Sequence, residues 1–290
     1  IAAFALVRYS LPLGFSYGYM PRGPAFAKEA DEEQITRVIE AIQLWARAHP
    51  SRSIFMRLEP PLASLPAALT KQRNFFMPLY YIQPRHNLAI PLDKPESEML
   101  ADLHPSTRSN LARAERRGVT IAHAGKLTKE NYAHFTAMMK DTIRRNSGIN
   151  AYPNPAYFSA FLQTIPPAPI FHDPNALSLG IINGYQHDAL AATHIVLYFG
   201  NTATYLYGAA YTKHLSSKVT TFLHWQSALE AKRQGLHYYD LGGIDAARWP
   251  SLTAFKRQFR GKEFSYAGNI DIPINAIAYA LYNVIKKRRM

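Results

Sequence analysis

Apolar residues at Ile35, Val38, Ile39, Ile42 and Leu44–Trp45 recur at the spacing of one helical face, within the stretch 31–50. Asp31, Glu32 and Glu33 crowd its first turn and Pro50 follows its end; both features favour a helix there. Other stretches carry strand patterns. Residues 1–9, 53–62, 87–92 and 120–124 are short apolar runs of strand length, and 237–243 is another. Residues 177–211 alternate such runs with turn residues, as an antiparallel meander does. Helical spacing returns in 97–119, read as one or two helices closing on Gly118. It returns again in 128–146 behind a Thr128 cap, in 154–165, in 216–236 and in 274–289, with a helical turn at 251–259.

Strand and helix therefore alternate, twice over, with one meander. The expected fold is mixed α/β (α+β), in two domains. The first takes residues 1–120 plus 269–290, because the tail after Gly268 returns to it; the second takes 121–268. No heptad run is sustained, so no coiled-coil arm is expected. The length of 290 residues suits two cores better than one.

Charge narrows the field. Thirty-three Lys and Arg against 20 Asp and Glu leave a net +13, which favours a polyanionic partner such as nucleic acid, a phosphorylated metabolite or an anionic membrane face. The absence of cysteine excludes disulfides, thiolate catalysis and Cys-based zinc sites. No apolar run is long enough to span a bilayer. None of the 11 His falls in a His-Glu-x-x-His arrangement, which argues against a zinc enzyme of that type. The chain opens without Met on what reads as mid-strand, so a preceding N-terminal segment is expected.

Residues 238–259, "YYDLGGIDAARWPSLTAFKRQF", combine features a core strand does not need. An apolar run ends on Asp240, Gly242–Gly243 follow, and Lys256 sits in a short basic stretch framed by Phe255 and Phe259. By residue type alone, Lys256 reads first as a surface lysine snorkelling from an amphipathic turn, and Asp240 before glycine is a turn former. Tyr205 and Tyr207 lie on one strand, where alternate residues share a face. Arg22, in "PRGP", either faces a groove or shapes a turn.

Several pieces, in order, resemble the FemABX family of non-ribosomal aminoacyltransferases. They are "GYMPRGP" (18–24), "FMRLEPP" (55–61), the long segment 81–121 with Arg108, Asn110, Arg113 and Ala114, "TIRRN" with "AYFSAFL", "YLYGAAY", and "YYDLGGI…FKRQF…YAGNIDIPI". The resemblance covers nearly the whole chain from Leu11. It implies two GNAT-like domains and a reaction. The amine of a peptidoglycan precursor's peptide stem attacks the ester of an aminoacyl-tRNA, with UDP-MurNAc-pentapeptide or lipid II as acceptor.

The resemblance further implies that Lys256, beside Phe255, contacts the precursor's phosphate and is needed for peptide-bond formation. Arg145, in register with Thr142, holds the same phosphates, with Arg144 as its alternative. Tyr205 or Tyr207 contacts substrate. Two departures stand out: "NSGI" follows the Thr-x-x-Arg motif in place of Asp-Gly-Phe, and Arg260 replaces a common Gly, adding charge beside Lys256. No metal or organic cofactor is implied, and the location is cytoplasmic. The amphipathic tail 276–290 has a basic end and offers peripheral contact with an anionic inner leaflet or with tRNA; a core-packed helix with a solvated basic end reads at least as well. The alternatives are a CoA-dependent GNAT-type N-acyltransferase and a non-catalytic protein that binds tRNA or wall precursors.

Overall fold

The computed structural model describes residues 2–49, 53–72, 76–78, 81–124, 128–146, 148, 152–168 and 172–287. The chain forms two compact units: one is Ile1–His86 with Phe264–Met290, the other Asn87–Glu263.

The first unit is built on a four-stranded mixed sheet, in the order Ile270–Pro273, Ser53–Leu58, Ser16–Met20, Val7–Ser10. Ser16–Met20 and Ser53–Leu58 run parallel; the outer pairs are antiparallel. One face carries Met20, Met56, Leu58, Ile270 and Ile272 against the helix Glu32–Ala48. That helix starts on a reciprocal cap: Asp31 Oδ1 accepts the Gln34 N–H at 2.7 Å, and Gln34 Oε1 accepts the Asp31 N–H at 3.3 Å. Its buried stripe is Ile35, Ile39, Ile42 and Ala46, with Gln43. Leu44 and Trp45, expected on that stripe, are exposed. At about 100° per residue they rotate past the face that Ile42 and Ala46 define.

The opposite face buries Tyr17, Tyr19 and Phe55 against Tyr279 of the helix Ala276–Lys287. An ion pair lies on this side. Arg57 Nε and Nη2 donate to Asp271 Oδ1 and Oδ2 at 2.7 and 2.6 Å, both side chains fully buried. Tyr279 donates to Asp271 Oδ2 at 2.9 Å, tying the terminal helix to the sheet.

The second unit is built on a seven-stranded sheet, ordered Lys262–Ser265, His86–Pro91, Tyr238–Ile244, Thr202–Ala210, Ala189–Phe199, Ser178–Gln186, Val119–Ala124. The meander expected over 177–211 is present and antiparallel. The helices Glu96–Asp102, Pro105–Arg116 and Val219–Arg233 cover one face, whose core includes Leu103, Leu111, Ile182, Val196 and Leu223. The helices Lys129–Arg145 and Pro155–Thr164 cover the other, over Leu179, Ile195 and Ala209. Thr128 caps its helix as expected, accepting the Asn131 N–H at 3.1 Å.

The division between units falls at 86/87, not 120, and the return at 263/264, not 268. The reason is burial. Leu88, Ile90, Leu92, Met99, Leu103, Leu111 and Ala114 share one core with the meander and the Val219–Arg233 helix. Among the described residues no helix is long and apolar enough to cross a membrane.

Removing one partner of the buried Arg57–Asp271 pair strands the other charge. Asp271→Ala is expected to lower unfolding free energy by about 3–5 kcal/mol, and Tyr279→Phe, which loses a neutral hydroxyl's hydrogen bonds and strands no charge, by about 1 kcal/mol. Urea unfolding of both variants checks the ranking.

Candidate functional site

The parallel ladder between Thr202–Ala210 and Tyr238–Ile244 is three pairs long: Thr202 with Tyr238, Ala203 with Tyr239, Thr204 with Asp240. Past the third pair the strands part, and residues of both line a cleft of about 550 Å³. Each strand is distorted at the parting. The register of Thr202–Ala210 against its other neighbour slips between Tyr205 and Tyr207. On the facing strand Gly242 takes φ +77°, a left-handed conformation that glycine adopts without strain. Asp240 Oδ1 accepts the Gly242 N–H at 2.7 Å and so pins the kink, and its Oδ2 accepts from Asn87 Nδ2 at 3.2 Å. Asp240 thus holds a bend within its strand rather than a turn at the strand's end. Gly242–Gly243 do not lead the chain out of the sheet, however; they remain within the strand Tyr238–Ile244.

Lys256 projects from the helix Pro250–Arg257 into this parting. Its Nζ donates to the Gly243 carbonyl at 2.7 Å. The residue is 5% exposed. Burial lowers its pKa to about 8, against the opposing pull of Asp240. Phe255 lines the same cleft and meets Phe259 edge to face at 5.5 Å.

Across the cleft, backbone carbonyls of Thr202–Ala210 also take side-chain donors. Tyr152 donates to the Gly208 carbonyl at 2.7 Å. Arg145 donates from Nη1 to Thr212 Oγ1 at 2.9 Å and reaches the Ala210 carbonyl at 3.5 Å; its Nη2 donates to Thr142 Oγ1 at 3.3 Å. The Thr142–Arg145 spacing seen in the sequence is therefore a physical contact. Arg144 lies outside the cleft lining and approaches Asp141 at 3.8 Å.

Tyr205 and Tyr207 both line the cleft, but not from one face. The register slip shifts the alternation by one residue. Tyr205 packs on His194 and His224, at ring separations of 4.8 and 4.6 Å. Tyr207 packs on Phe158 and Phe161 on the other side of the sheet, at 5.2 and 6.3 Å. Gly208 makes room for the first arrangement: a Cβ there would lie 2.3 Å from Tyr205 Oη and 2.9 Å from His194 Cδ2.

His194 and His224 are cleft residues that sequence reasoning missed. Their rings stand 4.3 Å apart and both are buried. Burial pulls His194 down to about 3 and His224 well below the usual imidazole range; His194 and Lys256 depress His224 further. Both are neutral at physiological pH. The His224 Nδ1 lies 3.2 Å from Tyr239 Oη. The available signal was a lone histidine within an apolar run, in "AATHIVLYF" and "TTFLHWQSA".

Two other expected residues lie elsewhere. Arg22 belongs to the first unit, where its guanidinium sits 3.8 Å over the Tyr266 ring and donates to the Pro84 carbonyl at 2.8 Å. It has φ +47°, as a turn former would. Arg260, at φ +56°, lines a separate depression of about 190 Å³ with Lys94 and Lys262, away from the cleft that holds Lys256. The backbone at Arg260 is one glycine takes more easily. Among the described residues no group of three or more His, Asp and Glu is placed to hold a metal ion.

Comparison with known proteins adds an independent line. Residues 179–287 match the model of the FemAB family, a segment containing most of the cleft. The lipid II:glycine glycyltransferase of Staphylococcus haemolyticus is 22% identical over 347 aligned positions, covering 95% of this chain and 81% of that protein. The crystal structure of FemX superposes with a TM-score of 0.75 at 17% identity, over 97% of this chain and 87% of that one. The C-terminal domain of a putative lysylphosphatidylglycerol synthetase from Agrobacterium fabrum superposes at 0.57 and 11% identity, over 98% and 87% of the two chains. A tandem GNAT protein from clavulanic acid biosynthesis also shares the fold, at a TM-score of 0.56 and 14% identity, over 94% and 79%.

Burying Lys256 has a thermodynamic signature. Its pKa of about 8 in the fold lies below the 10.5 of an unperturbed lysine, so the unfolded chain holds the proton more tightly. The cost to stability, about 3 kcal/mol, is fully present below pH 8 and is relieved as pH rises toward the unfolded value. Lys256→Met should therefore be more stable than the parent at pH 7, with the advantage shrinking above pH 8. Urea unfolding of both across that range measures it; a less stable variant at pH 7 would mean that the Gly243 hydrogen bond outweighs desolvation.

Proposed function

We propose that this chain is a FemABX-type aminoacyltransferase that moves an amino acid from aminoacyl-tRNA to the peptide-stem amine of a peptidoglycan precursor. The observation that carries the reading is Lys256. A buried ammonium held on a backbone carbonyl, inside a cleft with Arg145, suits an anionic substrate and the oxyanion of acyl transfer.

The chemistry asks for little beyond alignment and charge stabilisation. The stem amine attacks the ester carbonyl, a C–N bond forms, the ester C–O bond breaks, and the ribose hydroxyl leaves with the proton the amine gives up. Lys256 has three N–H groups and Gly243 takes one, leaving others for phosphate or for the oxyanion. The low dielectric of the site strengthens that interaction. Arg145, oriented by Thr142 and Thr212, supplies the second cation for a diphosphate. Tyr152, Tyr205 and Phe255 give the cleft apolar walls, and neutral His194 and His224 add no competing charge. The relatives named for lipid II glycyl transfer and as FemX support the peptidoglycan acceptor; the net +13 accords with tRNA as donor.

The protein is to be incubated with mixed aminoacyl-tRNAs and either UDP-MurNAc-pentapeptide or lipid II, and the products weighed. A gain of one amino-acid residue is expected, with kcat/KM falling roughly 10²–10³-fold in Lys256→Ala. The Lys256 contribution should fade above pH 8 as the ammonium deprotonates. No gain with either precursor, together with tight retention of acetyl-CoA, would replace this reading with a CoA-dependent N-acyltransferase.

A further inference from the structure

The terminal helix Ala276–Lys287 is apolar on two sides. Its inner side packs Ala278, Tyr279 and Tyr282 into the first unit's core. Its outer side carries Ile277, Leu281, Val284 and Ile285, exposed by 85, 60, 51 and 46%. On a 3.6-residue helix these four fall within an arc of about 100°, a coherent stripe rather than scattered positions. A second feature belongs to the same unit. Leu11 packs in the same cluster as Ala278 and Tyr282, and two residues on Leu13 stands 90% exposed. Leu13 has φ +61°, a conformation costly for a branched side chain.

Charge selects the partner. The helix has no Asp or Glu, ends in Lys286–Lys287, and is followed in sequence by Arg288–Arg289. The segment preceding and containing Leu13 is also free of acids; the first carboxylate in the chain is Glu29. An apolar stripe with cationic ends and no acids is the design of a helix lying in the headgroup region of an anionic bilayer.

We propose that the outer stripe of the Ala276–Lys287 helix, with Leu13, docks this protein on an anionic membrane surface. The docking does not depend on the catalytic reading, because none of these residues lines the cleft.

Sedimentation of the full chain with large unilamellar vesicles tests it, comparing phosphatidylglycerol-containing vesicles with pure phosphatidylcholine. Binding is expected to favour the anionic vesicles and to weaken with added salt. Leu281→Glu and, separately, Leu13→Glu should each reduce it roughly tenfold, with melting temperature and activity on a water-soluble precursor unchanged. Equal binding to both vesicle types would overturn the proposal, as would full binding by both variants. So would a dimer in sedimentation equilibrium that Leu281→Glu dissolves without affecting vesicle binding, since a second copy would then cover the stripe.

Discussion

The site depends on two parallel strands that stop pairing. After Thr204 and Asp240, the Thr202–Ala210 and Tyr238–Ile244 strands lose their common ladder, which opens a gap inside a sheet. A gap of that kind leaves backbone groups in need of partners, and buried ones are seldom left unmade. The carbonyl of Gly243 takes Lys256, that of Gly208 takes Tyr152, and that of Ala210 lies within reach of Arg145. The groups that complete the broken ladder are thus the groups that line the cleft. The register slip at Tyr205–Tyr207 and the left-handed Gly242 accompany the same parting from its two sides.

Placing a lysine there works against stability. Its lowered pKa records the cost of keeping an ammonium out of water, and Asp240 offsets only part of it. Asp240 is in turn committed to the Gly242 N–H and to Asn87. One carboxylate therefore shapes the strand that presents Gly243 to Lys256 and moderates the charge of that lysine. The neutral state of His224 fits this arrangement: protonating it would set a second cation beside Lys256. The first unit holds its own buried charge differently, with Arg57 and Asp271 in bidentate contact and Tyr279 adding a third link.

The sequence alone determined the elements and the chemistry of individual residues. Helical periodicity located the Glu32–Ala48 helix, the turn residues located the meander, and Thr128 marked a helix start that the structure confirms by a hydrogen bond. The ordered motifs singled out Lys256, Arg145, Phe255, Tyr205 and Tyr207, all of which line one cleft. These features are local, or are carried by a resemblance, and need no knowledge of what packs where. Tertiary structure alone decided the rest. Residues 87–120 join the second unit because their apolar side chains complete its core, a fact about partners distant in sequence. A one-residue register slip set Tyr205 and Tyr207 on opposite faces, and the glycines after Asp240 stayed in their strand. His194 and His224 became cleft residues only when strand and helix met. Periodicity reports which side of an element is apolar; which groups share a cavity, and at what pKa, follows from long-range packing and the water it excludes.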